Sequence, residues 1–304
     1  MSKIACVFPG QGSQSAGMLS DLANDFELVK TVFEEASEAL GYDLWKITQQ
    51  DDGQLNKTEI TQPALLTASI ACLKVLQSET NFTPSYYAGH SLGEYTALVA
   101  TEVIGLDAGV KLVQARGQFM QQAVAPGEGA MYAIIGLDDT VIAEVCSKIM
   151  AATNQVVSPV NYNSPGQVVI AGTKHAADQA AIALKEAGAK RALPLSVSVP
   201  SHCALMKGAS DKLQSLLSAI QFKDPTTPII NNVDVAIAAN IEEIKDALVR
   251  QLYMPVRWTE SVQYMINKGV GEIVEVGPGK VLSGLIKRID KSVITRKFND
   301  SGDI

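Results

Sequence analysis

The chain of 304 residues is 47% hydrophobic and 19% charged, so it can bury a large core. Its formal net charge of −7 argues against a nucleic-acid partner. No uninterrupted apolar run of about 18 residues predicts a membrane span, and no long apolar leader follows the first residues. The four cysteines lack metal-ligand spacing, so we expect a cytoplasmic protein with reduced thiols.

A short apolar strand and a glycine-rich loop come first. Residues 4–8 form a continuous apolar run, which is typical of a buried parallel strand. The loop at residues 9–14 follows the carboxyl end of this strand, where ligands bind in open α/β sheets. The loop lacks the third glycine of a dinucleotide fingerprint, and residues 277–280 lack the spacing and the hydroxyl of a P-loop. Its main-chain N–H groups and glutamine side chain suit an oxyanion hole.

Helical periodicity predicts three long helices before residue 126, over residues 26–40, 61–77 and 107–125. The first stops at Gly41, a residue type favoured just after a helix, and the second has Pro63 in its first turn. The third carries Arg116. A single arginine on a helix is usually solvated, but this one lies one helix beyond a candidate nucleophile and so stays a functional candidate.

That nucleophile lies in a Gly-x-Ser-x-Gly motif formed by Gly89, Ser91 and Gly93. The motif joins a predicted strand at residues 86–88 to an apolar stretch at residues 95–99 that reads as a helix. A sharp strand-to-helix turn crowds the backbone, which explains the small residues on either side of the serine. The hydroxyl then projects from the turn, and the next N–H lies at a helix N-terminus, ready to bind an oxyanion. A plain glycine-rich turn can carry the same motif, but the strand-to-helix setting favours a nucleophile.

The segment 126–199 has a different pattern. It predicts strand, helix, strand, strand, helix and strand, over residues 129–135, 138–150, 155–160, 167–171, 173–187 and 191–197. The sequence Asn-Ser-Pro-Gly at residues 163–166 predicts a hairpin turn, and Asp138 is placed to cap the first helix. The order βαββαβ is the ferredoxin-like arrangement.

After Pro200 the earlier pattern resumes. It predicts helices over residues 204–220, 241–252 and 257–268, strands over residues 228–232 and 272–276, and a helix ending at residue 288. The strand at 272–276 is the last one predicted. Short buried strands alternating with helices predict a parallel three-layer α/β sheet. We therefore expect one catalytic domain over residues 1–125 and 200–304, with the ferredoxin-like subdomain 126–199 inserted into it.

A serine nucleophile needs a general base, and the chain has three histidines. His90 adjoins Ser91, so a strand would send its side chain to the opposite face. His175 begins a helix of the inserted segment, where a solvated or capping role is expected. His202 lies where the insertion rejoins the larger unit, so elimination and location favour it as the base.

Two alternatives stay open at this point. Cys203 is a rival nucleophile, but it adjoins the candidate base and is badly placed to be activated by it. Asp234 is a candidate third member of the catalytic set only because it follows a predicted strand. No other acidic residue is singled out by its position.

Six motifs appear in the chain in one order: Phe-Pro-Gly-Gln-Gly-Ser-Gln at 8–14, Gly-His-Ser-Leu-Gly-Glu at 89–94, Arg-Gly at 116–117, Val-Asn-Tyr-Asn-Ser-Pro at 160–165, Pro-Ser-His at 200–202 and Glu-Val-Gly-Pro-Gly at 275–279. With these motifs the chain closely resembles the malonyl-CoA:acyl carrier protein transacylases of bacterial type II fatty acid synthesis. The resemblance extends to about residue 295, and the motifs together are far more specific than the serine motif alone. The family fold is an α/β-hydrolase-like core with an inserted ferredoxin-like subdomain, which agrees with the order predicted above.

The resemblance implies a ping-pong transfer of malonyl from malonyl-CoA to the phosphopantetheine thiol of an acyl carrier protein, through a malonyl ester of Ser91. It implies that His202 is the base and that Arg116 binds the malonyl carboxylate. It also implies that the main-chain N–H groups of Gln11 and Leu92 form the oxyanion hole.

Further roles follow from the same resemblance. Gln251, rather than an aspartate, would orient the histidine, and Asn161 would line the site. A leucine after the serine is like the malonyl-selective members, whereas methylmalonyl-selective polyketide domains often carry glutamine. No metal or redox cofactor is implied, and coenzyme A enters only as the thioester substrate. We expect a monomer that meets malonyl-CoA and an acyl carrier protein, but no nucleic acid and no membrane.

Other functions compete with this interpretation. A serine esterase or thioesterase shares the Ser91 elbow but has no need of Arg116, and a non-catalytic carrier-docking module would need neither Ser91 nor His202. A stand-alone loader of polyketide carrier proteins is hard to separate from the fatty acid enzyme by sequence. Carrier proteins are acidic and so is this chain, so docking needs a local basic patch. The candidate patches are Lys190 with Arg191, and Lys280 with Lys287 and Arg288.

Overall fold

A computed structural model describes residues 2–196 and 199–304, and its larger sheet has five parallel strands. They lie in the order β7-β2-β1-β8-β9, with bounds β1 Lys3–Phe8, β2 Tyr86–Gly89, β7 Ile229–Ile230, β8 Val270–Val276 and β9 Ile294–Phe298. The first strand is central: Val7 lies between Ala88 of β2 and Glu275 of β8. The loop after β1 and the turn after β2 therefore meet at the same edge of the sheet.

Helices cover both faces of this sheet, as the sequence predicted. One layer contains α1 Ser20–Asp25, α2 Leu28–Leu40, α3 Leu44–Gln49, α4 Thr58–Glu79, α5 Leu92–Ala100, α6 Leu106–Ala123, α9 Lys207–Ala219 and α10 Ile241–Gln251. The other contains α11 Trp258–Asn267 and α12 Val281–Ile289. Alternation along β1 divides the core, because Cys6 and Phe8 pack against the first layer while Ala5 and Val7 pack against the second.

The segment between α6 and α9 forms a second, antiparallel sheet of order β4-β5-β3-β6. Its elements are β3 Gly129–Ile135, α7 Asp139–Thr153, β4 Val157–Ser164, β5 Gln167–Thr173, α8 Lys174–Glu186 and β6 Arg191–Pro194. This is the predicted ferredoxin-like order, and the hairpin turns at Pro165 and Gly166, the latter with φ of 71°. The last strand of this sheet, β6, ends at Pro194, whereas the sequence predicted that it would reach Val197. Val197 lies outside the described residues. The domain boundaries themselves stay a prediction.

Three sequence predictions about elements were wrong. The strand at 272–276 is not the last, because β9 follows it; two charged side chains and an edge position hid this strand from the pattern. Pro63 lies inside α4 rather than in its first turn, since the helix begins at Thr58. Asp138 occupies the N-cap position of α7, but its side chain makes no capping hydrogen bond.

Among residues 2–196 and 199–304, one helix, α4, has the length and mean hydropathy of a membrane span, although it contains no uninterrupted apolar run of that length. Of its most apolar 18-residue window, 83% is buried inside the protein. The helix packs against α2, α5 and α6, as the central helix of a folded core does.

Main-chain contacts at the join between β2 and α5 require glycine at two positions, one packed against β1 and one packed within the turn itself. A Cβ atom on Gly93 would lie 2.1 Å from the carbonyl oxygen of Phe8. A Cβ atom on Gly89 would lie 1.8 Å from the carbonyl carbon of Gly93. Both neighbours are main chain and cannot swing aside, so this contact fixes where the turn after β2 sits.

We expect Gly93→Ala to lower the free energy of unfolding by more than about 3 kcal/mol, because the added methyl must displace the main chain of a central strand. Urea denaturation of the purified variant measures this. The matched control is Gly284→Ala in α12, where an added Cβ meets nothing within 4 Å. In the control variant the free energy of unfolding should be unchanged or should rise by roughly 0.5–1 kcal/mol, because alanine lowers the entropy of the unfolded chain. Equal stability of the two variants would contradict the steric argument.

Candidate active site

Ser91 lies at the sharp turn between β2 and α5, in a conformation that serine rarely adopts. Its φ of 51° and ψ of −103° place it in a strained region, at a cost of roughly 1–3 kcal/mol. Asn232, which follows β7, holds the turn from both sides: its Oδ1 accepts from the Ser91 N–H at 2.8 Å, and its Nδ2 donates to the Gly89 carbonyl at 2.7 Å. The side chain of Ser91 is thereby held at the rim of a cavity.

His202 meets this serine directly. Its Nε2 lies 2.8 Å from Ser91 Oγ, and its Nδ1 lies 2.6 Å from the main-chain carbonyl oxygen of Gln251. A carbonyl only accepts, so Nδ1 carries the proton and Nε2 is left with the lone pair that faces the hydroxyl. The arrangement is that of a nucleophile and its base, with a peptide carbonyl in the third position.

Asp234 does not take that third position. Its carboxylate is bound by Arg250, with an Nη2 to Oδ2 distance of 2.7 Å. The position of Asp234 after a strand therefore did not predict a place beside the histidine. The main-chain carbonyl of Gln251 occupies the position beside the histidine that an aspartate has in other serine enzymes.

Arg116 of α6 is buried beside the serine, with 1% of its surface exposed. Its Nη2 donates to Ser91 Oγ at 3.1 Å and to Gln251 Oε1 at 3.0 Å, and its Nη1 donates to Gln62 Oε1 at 2.9 Å. The guanidinium carbon lies 5.0 Å from the centre of the Tyr95 ring. In the described part of the chain no carboxylate forms an ion pair with it, and its Nε has no partner.

The cavity beside these side chains has a volume of about 100 Å³ and receives residues from both sheets. Gln11, from the loop after β1, and Leu92, the first residue of α5, line it. The N–H of Leu92 has no partner within its helix because of this first position. Asn161 of β4 also lines the cavity. The strand β4 is bound to the segment before α11, where the Val256 N–H donates to the Val160 carbonyl at 2.8 Å. The buried Oδ1 of Asn161 has no partner among the described residues.

Comparison with known proteins decides the family. The family model described as "Acyl transferase domain" matches residues 5–297. The chain belongs to this acyl transferase family. It is 59% identical over 301 residues to the malonyl CoA-acyl carrier protein transacylase of Escherichia coli (strain K12), covering 99% of this chain and 97% of that protein.

Two solved structures of this family are closely similar. The acyl carrier protein S-malonyltransferase of Vibrio cholerae has a TM-score of 0.96 at 57% identity, over 99% of this chain and 98% of that one. PlMCAT, a malonyl-transacylase in complex with AntF, a type II PKS acyl-carrier protein, has a TM-score of 0.97 at 55% identity, over 99% of this chain and 97% of that one. The α/β core with its second, ferredoxin-like sheet is thus the fold of the acyltransferases.

Burial keeps the histidine of this acyltransferase neutral. Removal from water, together with the positive charge of Arg116, lowers the pKa of His202 from 6.5 to about 3. The hydrogen bond to the Gln251 carbonyl acts in the opposite direction. At neutral pH the imidazole is therefore uncharged and able to accept a proton at Nε2.

A second group of polar side chains lies behind the cavity, and the sequence did not assign it a role. Glu94, with 3% of its surface exposed, accepts at Oε2 from the Asn232 N–H at 2.9 Å and from Gln251 Nε2 at 2.8 Å. Burial raises the pKa of Glu94 to about 7. One signal could have found this residue, since Glu94 is the sole charged residue of the apolar α5. Gln62 and Asn232 offer no comparable signal.

The remaining sequence candidates take no part in the contacts between Ser91, His202 and Arg116, although His90 also lines the cavity. The ring of His90 is held by Asn163, with Nε2 to Oδ1 at 2.8 Å, and His175 is exposed at the start of α8. The thiol of Cys203 donates to the Pro200 carbonyl, and burial raises the pKa of this thiol to about 11, so it is a poor nucleophile. Among residues 2–196 and 199–304, no cluster of His, Cys, Asp and Glu side chains could hold a metal ion.

We expect the His202 ring to stay neutral from pH 8 down to about pH 5, because its pKa is near 3 rather than 6.5. Histidine NMR signals followed over this range measure it, with the signal assigned by its loss in His202→Ala. Since the folded-state pKa is depressed, His202 contributes stability that is present above pH 6.5 and is lost as the pH falls toward 3. A protonation midpoint at 6.5 or above would contradict the burial argument.

Proposed function

We propose that this acyltransferase moves a malonyl group from malonyl-CoA to the phosphopantetheine thiol of an acyl carrier protein, through a malonyl ester of Ser91. The observation that carries the proposal is the buried guanidinium of Arg116, which lies 3.1 Å from Ser91 Oγ and forms no direct ion pair with a carboxylate in the described chain. A permanent positive charge beside the nucleophile suits an acyl group that has its own negative charge. The names of the similar transacylases support the same substrate.

In the first half-reaction, His202 Nε2 takes the proton of Ser91 as Oγ bonds to the thioester carbonyl carbon. The tetrahedral oxyanion is held by the N–H groups of Gln11 and Leu92. When the carbon–sulfur bond breaks, coenzyme A leaves and takes the proton from the histidine. In the second half-reaction the carrier thiol gives its proton to the same base and attacks the ester, and Ser91 is restored. Both half-reactions use the same imidazole, which is uncharged in the free enzyme.

Arg116 and Asn161 are assigned to the acyl group. The planar guanidinium can bind a carboxylate through two parallel hydrogen bonds, which lysine cannot do. Asn161, whose buried Oδ1 lacks a partner, lines the same cavity and is available to the substrate. Gln251 has two parts in the proposal: its main-chain carbonyl orients His202, and its side chain holds Arg116.

A second candidate function is supported by one comparison. PlMCAT, at 55% identity, was solved with a type II PKS acyl-carrier protein, so loading of polyketide carrier proteins is the alternative to supply of fatty acid synthesis. The chemistry at Ser91 is the same in both. Transfer rates to carrier proteins of the two kinds, assayed side by side, distinguish them. A serine thioesterase is less well supported, because it has no use for a buried arginine.

The carrier protein is proposed to dock at the edge of the smaller sheet where β3 ends, near Lys190 and Arg288, which each belong to one of the two predicted basic patches. The stem of Lys190 packs over Gly136, whose N–H donates to the Gly166 carbonyl at 2.7 Å. One residue further, Gln167 accepts a hydrogen bond from Arg288 of α12. This edge lies about four residues along β3 from Met131, a lining residue of the cavity. An acidic domain bound there lies close to the cavity mouth.

Arg116→Ala should lower the rate constant for Ser91 acylation by malonyl-CoA by roughly 100- to 1,000-fold, the equivalent of losing one partner of a buried ion pair worth about 3–5 kcal/mol. Acylation by acetyl-CoA should hold or improve, since acetyl has no carboxylate. Arg116→Lys should recover part of the malonyl rate only. The measurement is the mass of the Ser91-containing peptide after brief exposure to each thioester.

Controls for this experiment use the nucleophile and the base. Ser91→Ala should give no acyl-enzyme with either thioester, and His202→Ala should slow both half-reactions. If malonyl and acetyl acylation fell equally in Arg116→Ala, the arginine would be a structural or coenzyme A contact. Rapid release of malonate to water without any thiol acceptor would instead indicate a thioesterase.

Charge reversal at Lys190 and Arg288 should weaken docking of the carrier protein and leave the reaction with malonyl-CoA unaffected. We expect Lys190→Glu combined with Arg288→Glu to raise the KM for the acyl carrier protein several-fold and to leave acylation by malonyl-CoA unchanged. The matched control is Lys74→Glu on α4, a partly exposed lysine that lines a different groove. Equal loss in both half-reactions would point to a coenzyme A phosphate contact or to misfolding. An unchanged carrier KM would place the docking surface elsewhere.

A further inference from the structure

Glu94 is the buried carboxylate nearest to the reaction site, and the mechanism above does not use it. Its Oε2 binds two donors, the N–H of Asn232 and the Nε2 of Gln251, at 2.9 and 2.8 Å. Neither donor is charged. In a carboxylate that is 97% buried, these neutral donors and the positive charge of Arg116 both favour the ionised form against the cost of burial.

The nearest buried positive charge is Arg116, and one amide separates the two groups. The side chain of Gln251 lies between them, with Nε2 toward Glu94 and Oε1 toward Arg116 at 3.0 Å. This orientation is the only one that satisfies both neighbours, because an ionised carboxylate only accepts and a guanidinium only donates. Glu94, Gln251 and Arg116 therefore form one chain in which a negative and a positive charge balance each other across a neutral amide.

We propose that Glu94 is the resident counter-charge of Arg116, and that a carboxylate on the incoming acyl group takes over this role, so that acylation by a carboxylated substrate is coupled to uptake of a proton by Glu94. The inference deepens the function proposed above and rests on it. The proton comes from solvent, and no bond other than O–H is made at Glu94.

The coupling follows from charge balance in a site with little water. One positive charge cannot compensate two carboxylates, so the arrival of the second raises the free energy of the first in its ionised form. The charged and titratable groups that face Glu94 are Arg116 from α6, Asp234 from the segment after β7, and Tyr95 on its own helix. Asp234 is paired with Arg250 and stays ionised, which leaves Glu94 as the group that changes state.

Burial raises the pKa of Glu94 to about 7 before any substrate binds, so a further rise in its pKa moves the group through neutral pH. A bound carboxylate raises the pKa, so malonyl acylation is favoured when Glu94 is protonated. The apparent affinity for malonyl-CoA should therefore fall as the pH rises above about 7, whereas the affinity for acetyl-CoA should not change with Glu94.

The first test uses the unmodified enzyme. Proton uptake is measured with an indicator dye in weak buffer at about pH 7.5, during stoichiometric acylation by malonyl-CoA and, separately, by acetyl-CoA. Coenzyme A release contributes equally to both, so it cancels in the difference. We expect malonyl acylation to take up roughly half a proton more per enzyme than acetyl acylation. Equal uptake would overturn the proposal without affecting the assignment of Ser91 or Arg116.

The second test removes the charge and keeps the hydrogen bonds. Glu94→Gln retains an oxygen that can accept from Asn232 and Gln251, so the contacts persist while the counter-charge is lost. At pH 8.5 the rate constant for malonyl acylation relative to acetyl acylation should rise by roughly 3- to 10-fold, the effect of one charge several ångström away at the effective dielectric of such a site. The extra proton uptake should disappear in this variant.

The matched control is Thr96→Val on the same helix, which removes a buried hydroxyl that has no partner among the described residues. It should leave both the substrate ratio and the proton uptake unchanged. An equal fall of malonyl and acetyl rates in Glu94→Gln, with no change in their ratio, would show that Glu94 only holds the fold. Arg116→Ala, run in parallel, reports on the malonyl assignment separately, so failure of one proposal is distinguishable from failure of the other.

Discussion

A buried guanidinium beside a serine hydroxyl is the constraint on which the rest of the site depends. Arg116 has a charge that it cannot lose, and 99% of its surface is removed from water. The protein satisfies it with the amide oxygens of Gln62 and Gln251, the hydroxyl of Ser91 and the face of Tyr95. The same charge lowers the pKa of His202. The group that is suited to a substrate carboxylate therefore also helps to keep the proposed base unprotonated.

The residues that satisfy this charge also hold the turn that carries Ser91. Asn232 and Gln251 lie 141 and 160 residues beyond Ser91 in the sequence, yet both bind the turn that carries it. Glu94 binds both of them. The proposed nucleophile Ser91, the proposed base His202 and Arg116 are thus held by one hydrogen-bonded network, and these contacts hold Ser91 in its strained conformation.

The sequence predicted those elements whose residues follow a regular apolar or turn pattern, and it missed those whose pattern is interrupted. Parallel buried strands, the ferredoxin-like order and the elbow at Ser91 follow from apolar runs, turn residues and small residues at fixed spacing. β9 was missed because Arg296 and Lys297 interrupt its apolar pattern at the sheet edge. Gln62 and Asn232 were missed because a polar side chain becomes part of a site only through its partners, and those partners are distant in sequence.

The carbonyl that holds His202 has a consequence for how this site can change. An acidic third residue can be deleted by a single codon change, but the main-chain oxygen of Gln251 is present whichever side chain occupies position 251. Only a shift of the backbone at the end of α10 can withdraw it. Substitutions at this position can therefore alter the environment of Arg116 while the histidine keeps its tautomer. Acyl-group selectivity and the activation of the nucleophile are in this way open to separate variation, although one residue serves both.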